Sequence, residues 1–155
     1  MRTLPAILAT LLLAGLLAAC GGGSDGSGLV SRPEYAETLV LDGYGVSEDV
    51  RYNPIGTLYV EAVGSEYFLL ERAVVGTIVL APPDGGQGGG NQINFGAAAN
   101  VGRVEIQTSD NVLYLGPGAD AGQVTIYGNG NTIYLEQAAT LDLDDQGANN
   151  AVVGL

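Results

Sequence analysis

The side chains that could do chemistry in this 155-residue chain are few. There is no histidine and no lysine, which removes the usual general base, the commonest metal ligand and any amine nucleophile. One cysteine and five arginines remain, against 17 aspartates and glutamates. Arg103 and Glu105 are the only close arginine–carboxylate pair on a regular strand run, and neighbouring strand positions are expected to send them to opposite faces. The densest carboxylate stretch is LDLDDQG, residues 141–147, where Asp142, Asp144 and Asp145 offer oxygens to a calcium ion. Asp142, Asp144, Gln146 and Gly147 follow the opening of an EF-hand loop, but Val153 stands where its bidentate glutamate belongs. The three aspartates therefore read better as a solvated strand end than as a metal site. The stretch 85–90 opens like a G-G-x-G-x-D calcium repeat, yet Gly90 occupies the aspartate position. Tyr114 and Tyr134 occupy the same place in two similar phrases. They suit either stacking against a sugar ring or packing against each other. No G-x-S-x-G elbow occurs. No catalytic residue is nominated, and no cofactor is implied.

The cysteine stands at the end of MRTLPAILATLLLAGLLAAC, residues 1–20. One positive residue, an apolar run and small residues before the cysteine make a secretory signal peptide. The run from Leu4 to Ala19 is short for a bilayer span, which needs about 20 apolar residues. Leu17-Ala18-Ala19-Cys20 resembles the lipobox of bacterial lipoproteins. That resemblance implies a diacylglycerol on the Cys20 sulfur, cleavage before it, and acylation of the new amine by a fatty chain such as palmitate. Residues 1–19 are then the signal peptide, 20–34 the lipidated cysteine with its linker, and 35–155 the folded domain. The linker begins GGGSDGSG, with no apolar side chain, as a tether needs. Each buried methylene contributes about 0.8 kcal/mol, so one acyl chain holds weakly and several hold firmly. Gly21 follows the cysteine where an aspartate would resemble an inner-membrane retention signal, which leans towards the outer membrane.

The elements that must position any site come from a repeat near twenty residues. One kind of strand reads TLVL (38–41), TLYV (57–60), TIVL (77–80), RVEI (103–106), QVTI (123–126) and TLDL (140–143). A second kind reads DVRY (49–52), EYFLL (66–70), NQINF (91–95), NVLYL (111–115), NTIYL (131–135) and NAVVGL (150–155). The one long step contains PPDGGQGGG, residues 82–90, as an inserted loop. Asn91, Asn111, Asn131 and Asn150 head the second strand each time. Stacked turns lie about 4.8 Å apart, so these asparagines are expected to form a ladder at one corner. The fold predicted is all-β: a short parallel β-helix or β-solenoid of about 20-residue turns, with a β-sandwich as the alternative. Alternation places Leu39/Leu41, Leu58/Val60, Ile78/Leu80, Val104/Ile106, Val124/Ile126 and Leu141/Leu143 inward. Ile93/Phe95, Leu113/Leu115 and Ile133/Leu135 face them, while Glu105, Thr125 and Asp142 point out. Six turns make a rod of about 30 Å.

GNGNTIYL (128–135) and GANNAVVGL (147–155) resemble small bacterial envelope proteins with G-x-N-N-T-V repeats. That resemblance implies export and a β-helical module, and no known reaction. Residues 35–80 lack the asparagine, leaving a capping segment or a different sheet open for them.

Beyond Arg2 the chain has four arginines against 17 carboxylates, a net charge of −13. That surface repels nucleic-acid phosphates and anionic lipid. The expectation is a non-catalytic, lipid-anchored envelope protein that displays its solenoid for protein or glycan contact. The alternatives are a calcium-dependent structural or adhesive module and a small carbohydrate-active β-helix enzyme. The apolar final strand also predicts coverage by a partner, by further ordered residues, or by self-association through its edge.

Overall fold

The computed structural model describes residues 35–84 and 86–155. The expected signal peptide, Cys20 and the expected 20–34 linker lie outside the described residues. The strands in chain order are β1 (Ala36–Tyr44), β2 (Ser47–Val50), β3 (Ile55–Val63), β4 (Glu66–Leu69), β5 (Val74–Leu80) and β6 (Gln92–Phe95). They continue as β7 (Asn100–Ile106), β8 (Val112–Leu115), β9 (Asp120–Ile126), β10 (Thr132–Leu135), β11 (Thr140–Asp145) and β12 (Ala151–Gly154). Odd-numbered strands form one six-stranded sheet and even-numbered strands a second. Every neighbouring pair is parallel. Each strand thus lies beside the one a full turn earlier, and the chain winds as a β-solenoid.

Period-2 alternation builds the interior. Leu39, Leu58, Ile78, Val104, Val124 and Leu143 are successive partners down the long sheet. Tyr67, Ile93, Leu113, Ile133 and Val152 run down the other. Leu58, Ile78, Val104, Ile93, Leu113 and Ile133 have no measurable exposure. Burying each such aliphatic side chain contributes about 1.5–3 kcal/mol, which is what closes the two sheets on each other. β1–β5 pair in register with the later turns, so residues 36–80 are neither a cap nor a separate sheet.

The sixth turn differs from the repeat alignment. Leu143 pairs with Val124 and Asp145 with Ile126, after a register break between Thr140 and Asp142. Leu141 and Leu143 therefore do not occupy the Val124/Ile126 positions, and Asp144, not Asp142, follows Glu105 and Thr125. A slip of two residues preserves the inside–outside alternation, so hydrophobic pattern alone cannot detect it. Thr140 is anchored by its N–H to Ala119 O at 2.9 Å and its hydroxyl to Asp120 Oδ1 at 3.0 Å. After that anchor Leu141 stands opposite both Ala121 and Gly122, so the extra residue of the break lies on β9.

Candidate functional site

The corner before each even strand carries a regular polar feature. Gly45, Gly64, Gly90, Asp110, Gly130 and Asn149 all adopt positive φ, and each immediately precedes one rung of a ladder. A left-handed residue turns the chain sharply, and glycine or asparagine adopts it at least cost. The rung then follows. Asn91 N–H donates to Asn111 Oδ1 at 3.1 Å, Asn111 N–H to Asn131 Oδ1 at 2.9 Å, and Asn131 N–H to Asn150 Oδ1 at 2.8 Å. Asn111 Nδ2 also donates to Asn131 Oδ1, and Asn131 Nδ2 to Asn150 Oδ1. Ser65 and Val46 extend the column upward: Ser65 N–H donates to Asn91 Oδ1 at 3.1 Å, and Val46 N–H to Ser65 Oγ at 3.1 Å. Asn91, Asn111 and Asn131 are buried, and their amides are taken up by backbone groups and neighbouring side chains of the corner, which leaves them unavailable to a ligand.

Tyr114 and Tyr134 are cross-strand partners on the outer face of β8 and β10. Their rings stack with centroids 4.6 Å apart and planes 10° apart. Each ring covers one face of the other, so the pair shows edges and hydroxyls to solvent, and a sugar cannot lie flat across both.

The three aspartates do not converge. Asp142 and Asp144 share the outer face of β11, while Asp145 takes the inward position at the end of the Ile106–Ile126 column. Asp145 Oδ1 accepts from Gly147 N–H at 3.0 Å and Asn150 Nδ2 at 2.7 Å, and Asp144 Oδ2 from Gln146 Nε2 at 2.9 Å. Among the described residues no three of His, Cys, Asp and Glu are grouped to hold a metal ion. Arg103 and Glu105 were expected on opposite faces. They are two residues apart, lie on the same face, and form an ion pair at 3.3 Å.

The inserted loop returns to the sheet at Gly89, which bridges Val63 and Ser109. Beneath it lies a surface cleft of about 580 Å³, lined by Pro82, Gln87, Gln107, Thr108, Ser109 and Asp110. Val152, Val153 and Leu155 in the last turn are exposed.

Two features escaped the repeat pattern. The Tyr67 hydroxyl is buried without a hydrogen-bond partner. Burial raises its pKa above 10.0, the Ser65 hydroxyl opposes this, and the Glu48 and Asp42 carboxylates add to the rise. The second is a polar cluster on the outer face of β4 and β6. Gln92 Nε2 donates to Glu66 Oε1 at 2.6 Å and to Asn94 Oδ1 at 3.0 Å. Asn94 Nδ2 donates to Glu66 Oε1 at 3.2 Å and leans towards Tyr67 O at 3.4 Å. Phe68 stands beside it, 38% exposed. The signal was there in EYF and NQINF, but the 26-residue step of the inserted loop hid that Phe68 and Asn94 are cross-strand partners. No family model, curated protein or solved structure matches the chain.

Proposed function

We propose that this chain is a lipid-anchored envelope protein whose solenoid is a non-catalytic contact module for protein or glycan. The observation that carries the reading is the chain's one cysteine standing directly after Leu17-Ala18-Ala19, where acylation requires a thiol. The residues after it, GGGSDGSG, suit a tether that keeps a folded domain clear of a bilayer. Gly21 favours the outer membrane. The solenoid is compatible with this use. Its interior is filled by apolar columns, so contact is left to the outer sheet faces and loops. The acidic surface disfavours nucleic acid and anionic headgroups as partners.

The test is metabolic labelling of the full chain in a bacterial host with two membranes, using an alkyne-bearing palmitate. Label should appear on the protein and vanish in Cys20→Ser. Label that persists in Cys20→Ser, or an unlabelled wild-type chain released from the membrane, contradicts the reading.

A further inference from the structure

We propose that Glu48 and Asp145 are stops that keep copies of this chain from stacking end to end, and that without them the last turn of one copy takes the first turn of the next. The inference goes beyond the display reading and does not depend on the anchor.

Strands at the two ends of a solenoid carry unpaired backbone groups, and an unguarded edge pairs with another chain. β1 and β2 form one open edge, β11 and β12 the other. A stack would continue each column of both sheets from the last turn of one copy into the first turn of its neighbour. The outer columns permit this. Asp142 would meet Thr38, Asp144 would meet Val40, Ala151 would meet Ser47, and Val153 would meet Asp49, so no like charges stand opposite. Leu143 would meet Leu39, apolar against apolar.

Two inward columns forbid it. Glu48 heads the column that continues as Tyr67, Ile93, Leu113, Ile133 and Val152. Asp145 closes the column of Leu41, Val60, Leu80, Ile106 and Ile126. Each column thus holds one carboxylate, and each carboxylate stands in an end layer. Both are exposed in the single chain. In a stack, Glu48 would be shut against Val152 of the neighbour, and Asp145 against Leu41. No lysine or histidine exists to pair them, and Arg51 and Arg103 pair with Asp49 and Glu105. An unpaired carboxylate taken into an apolar interior weakens a contact by about a thousandfold or more. The corner adds a third mismatch. From Val46 to Asn131, each rung's N–H is accepted by the side chain of the following rung. The rung that would follow Asn150 is Val46 of the neighbour, whose side chain has no acceptor.

Because the stops lie at opposite ends, a junction is free of buried charge only when one copy's head lacks Glu48 and the other's tail lacks Asp145. The test mixes two variants of the full chain in detergent and reads their mass by sedimentation velocity. Val46→Asn/Glu48→Leu frees the head, and Asp145→Ile frees the tail. Each alone should sediment as the wild type does, since its own junction still buries the other carboxylate. Mixed one to one at about 1 mM, they should form a pair and stop there. A chain carrying all three replacements should build rods that lengthen by about 30 Å per copy. Asp145→Asn keeps an acceptor for Gly147 N–H and Asn150 Nδ2, and replaces Asp145→Ile as the tail variant if that one melts early. The proposal is overturned if the wild type itself stacks, if the mixture sediments as its separate components do, or if either variant alone associates as strongly as the mixture.

Discussion

Replacing Asn131 with alanine isolates what the corner ladder contributes. The Asn131 carboxamide oxygen accepts two donors from the turn before it, Asn111 N–H and Asn111 Nδ2, both at 2.9 Å. Asn111 and Asn131 have no measurable exposure, so alanine strands the Asn111 N–H where water does not reach, while Asn111 Nδ2 keeps Thr108 Oγ1 at 3.0 Å. A buried donor left unpaired costs about 1–3 kcal/mol, which puts Asn131→Ala near about 3 kcal/mol with the weakened Nδ2 bond included. Asn150 makes the same two bonds to Asn131, at 2.8 and 3.1 Å, but it is half-buried in the last turn. Water can take over there, so Asn150→Ala should cost about 1 kcal/mol. Urea unfolding at neutral pH reads both as shifts in midpoint at constant slope. Equal losses for the two variants, or a loss under about 1 kcal/mol for Asn131→Ala, would refute the idea that buried backbone donors depend on the ladder.

Three further outcomes follow from local geometry. A Cβ at Gly128 would collide with Thr108 O, whereas one at Gly154 meets nothing; Gly128→Ala should lower the melting temperature sharply and Gly154→Ala leave it unchanged. Ala98 and Ala138 sit at φ 53° and 61° in the turn where Gly118 sits at 66°, so Ala98→Gly should stabilise by about 1 kcal/mol in urea unfolding. Tyr67→Phe removes a buried hydroxyl without a partner and should be neutral or slightly stabilising. The folded-state pKa of Tyr67 is raised, so its contribution is intact below pH 10 and is lost as pH rises from there through the folded value. Stability of the wild type, measured against Tyr67→Phe, should therefore fall only above about pH 10.

The twenty-residue period, the parallel winding and the inward columns were legible because alternation and repeat spacing are both written in residue type. So was the corner, since glycine followed by asparagine marks a left-handed turn at 90–91 and 130–131. The ladder's continuation through Ser65 was not legible, because a hydroxyl accepts the same N–H without resembling an amide. The sixth-turn register was not legible either: a two-residue slip leaves Leu143 inward and Asp144 outward as before. Ala98 and Ala138 carry no mark of positive φ, since tertiary stacking on the Gly118 turn imposes it on residues that do not favour it. The Phe68–Asn94–Tyr114 column was hidden for a different reason. It spans the inserted loop, and only the sheet pairing of β4 with β6 brings its members into line.

The most direct test of the wound architecture is scalar coupling across its corner hydrogen bonds, measured by NMR on the isotope-labelled protein. The Asn91, Asn111 and Asn131 backbone nitrogens should each correlate with the side-chain Cγ of Asn111, Asn131 and Asn150 respectively, and Ser65 with that of Asn91. Correlations to backbone carbonyls instead, or amide protons at these positions that exchange with solvent as fast as those of an open chain, would contradict a solenoid stacked in this register.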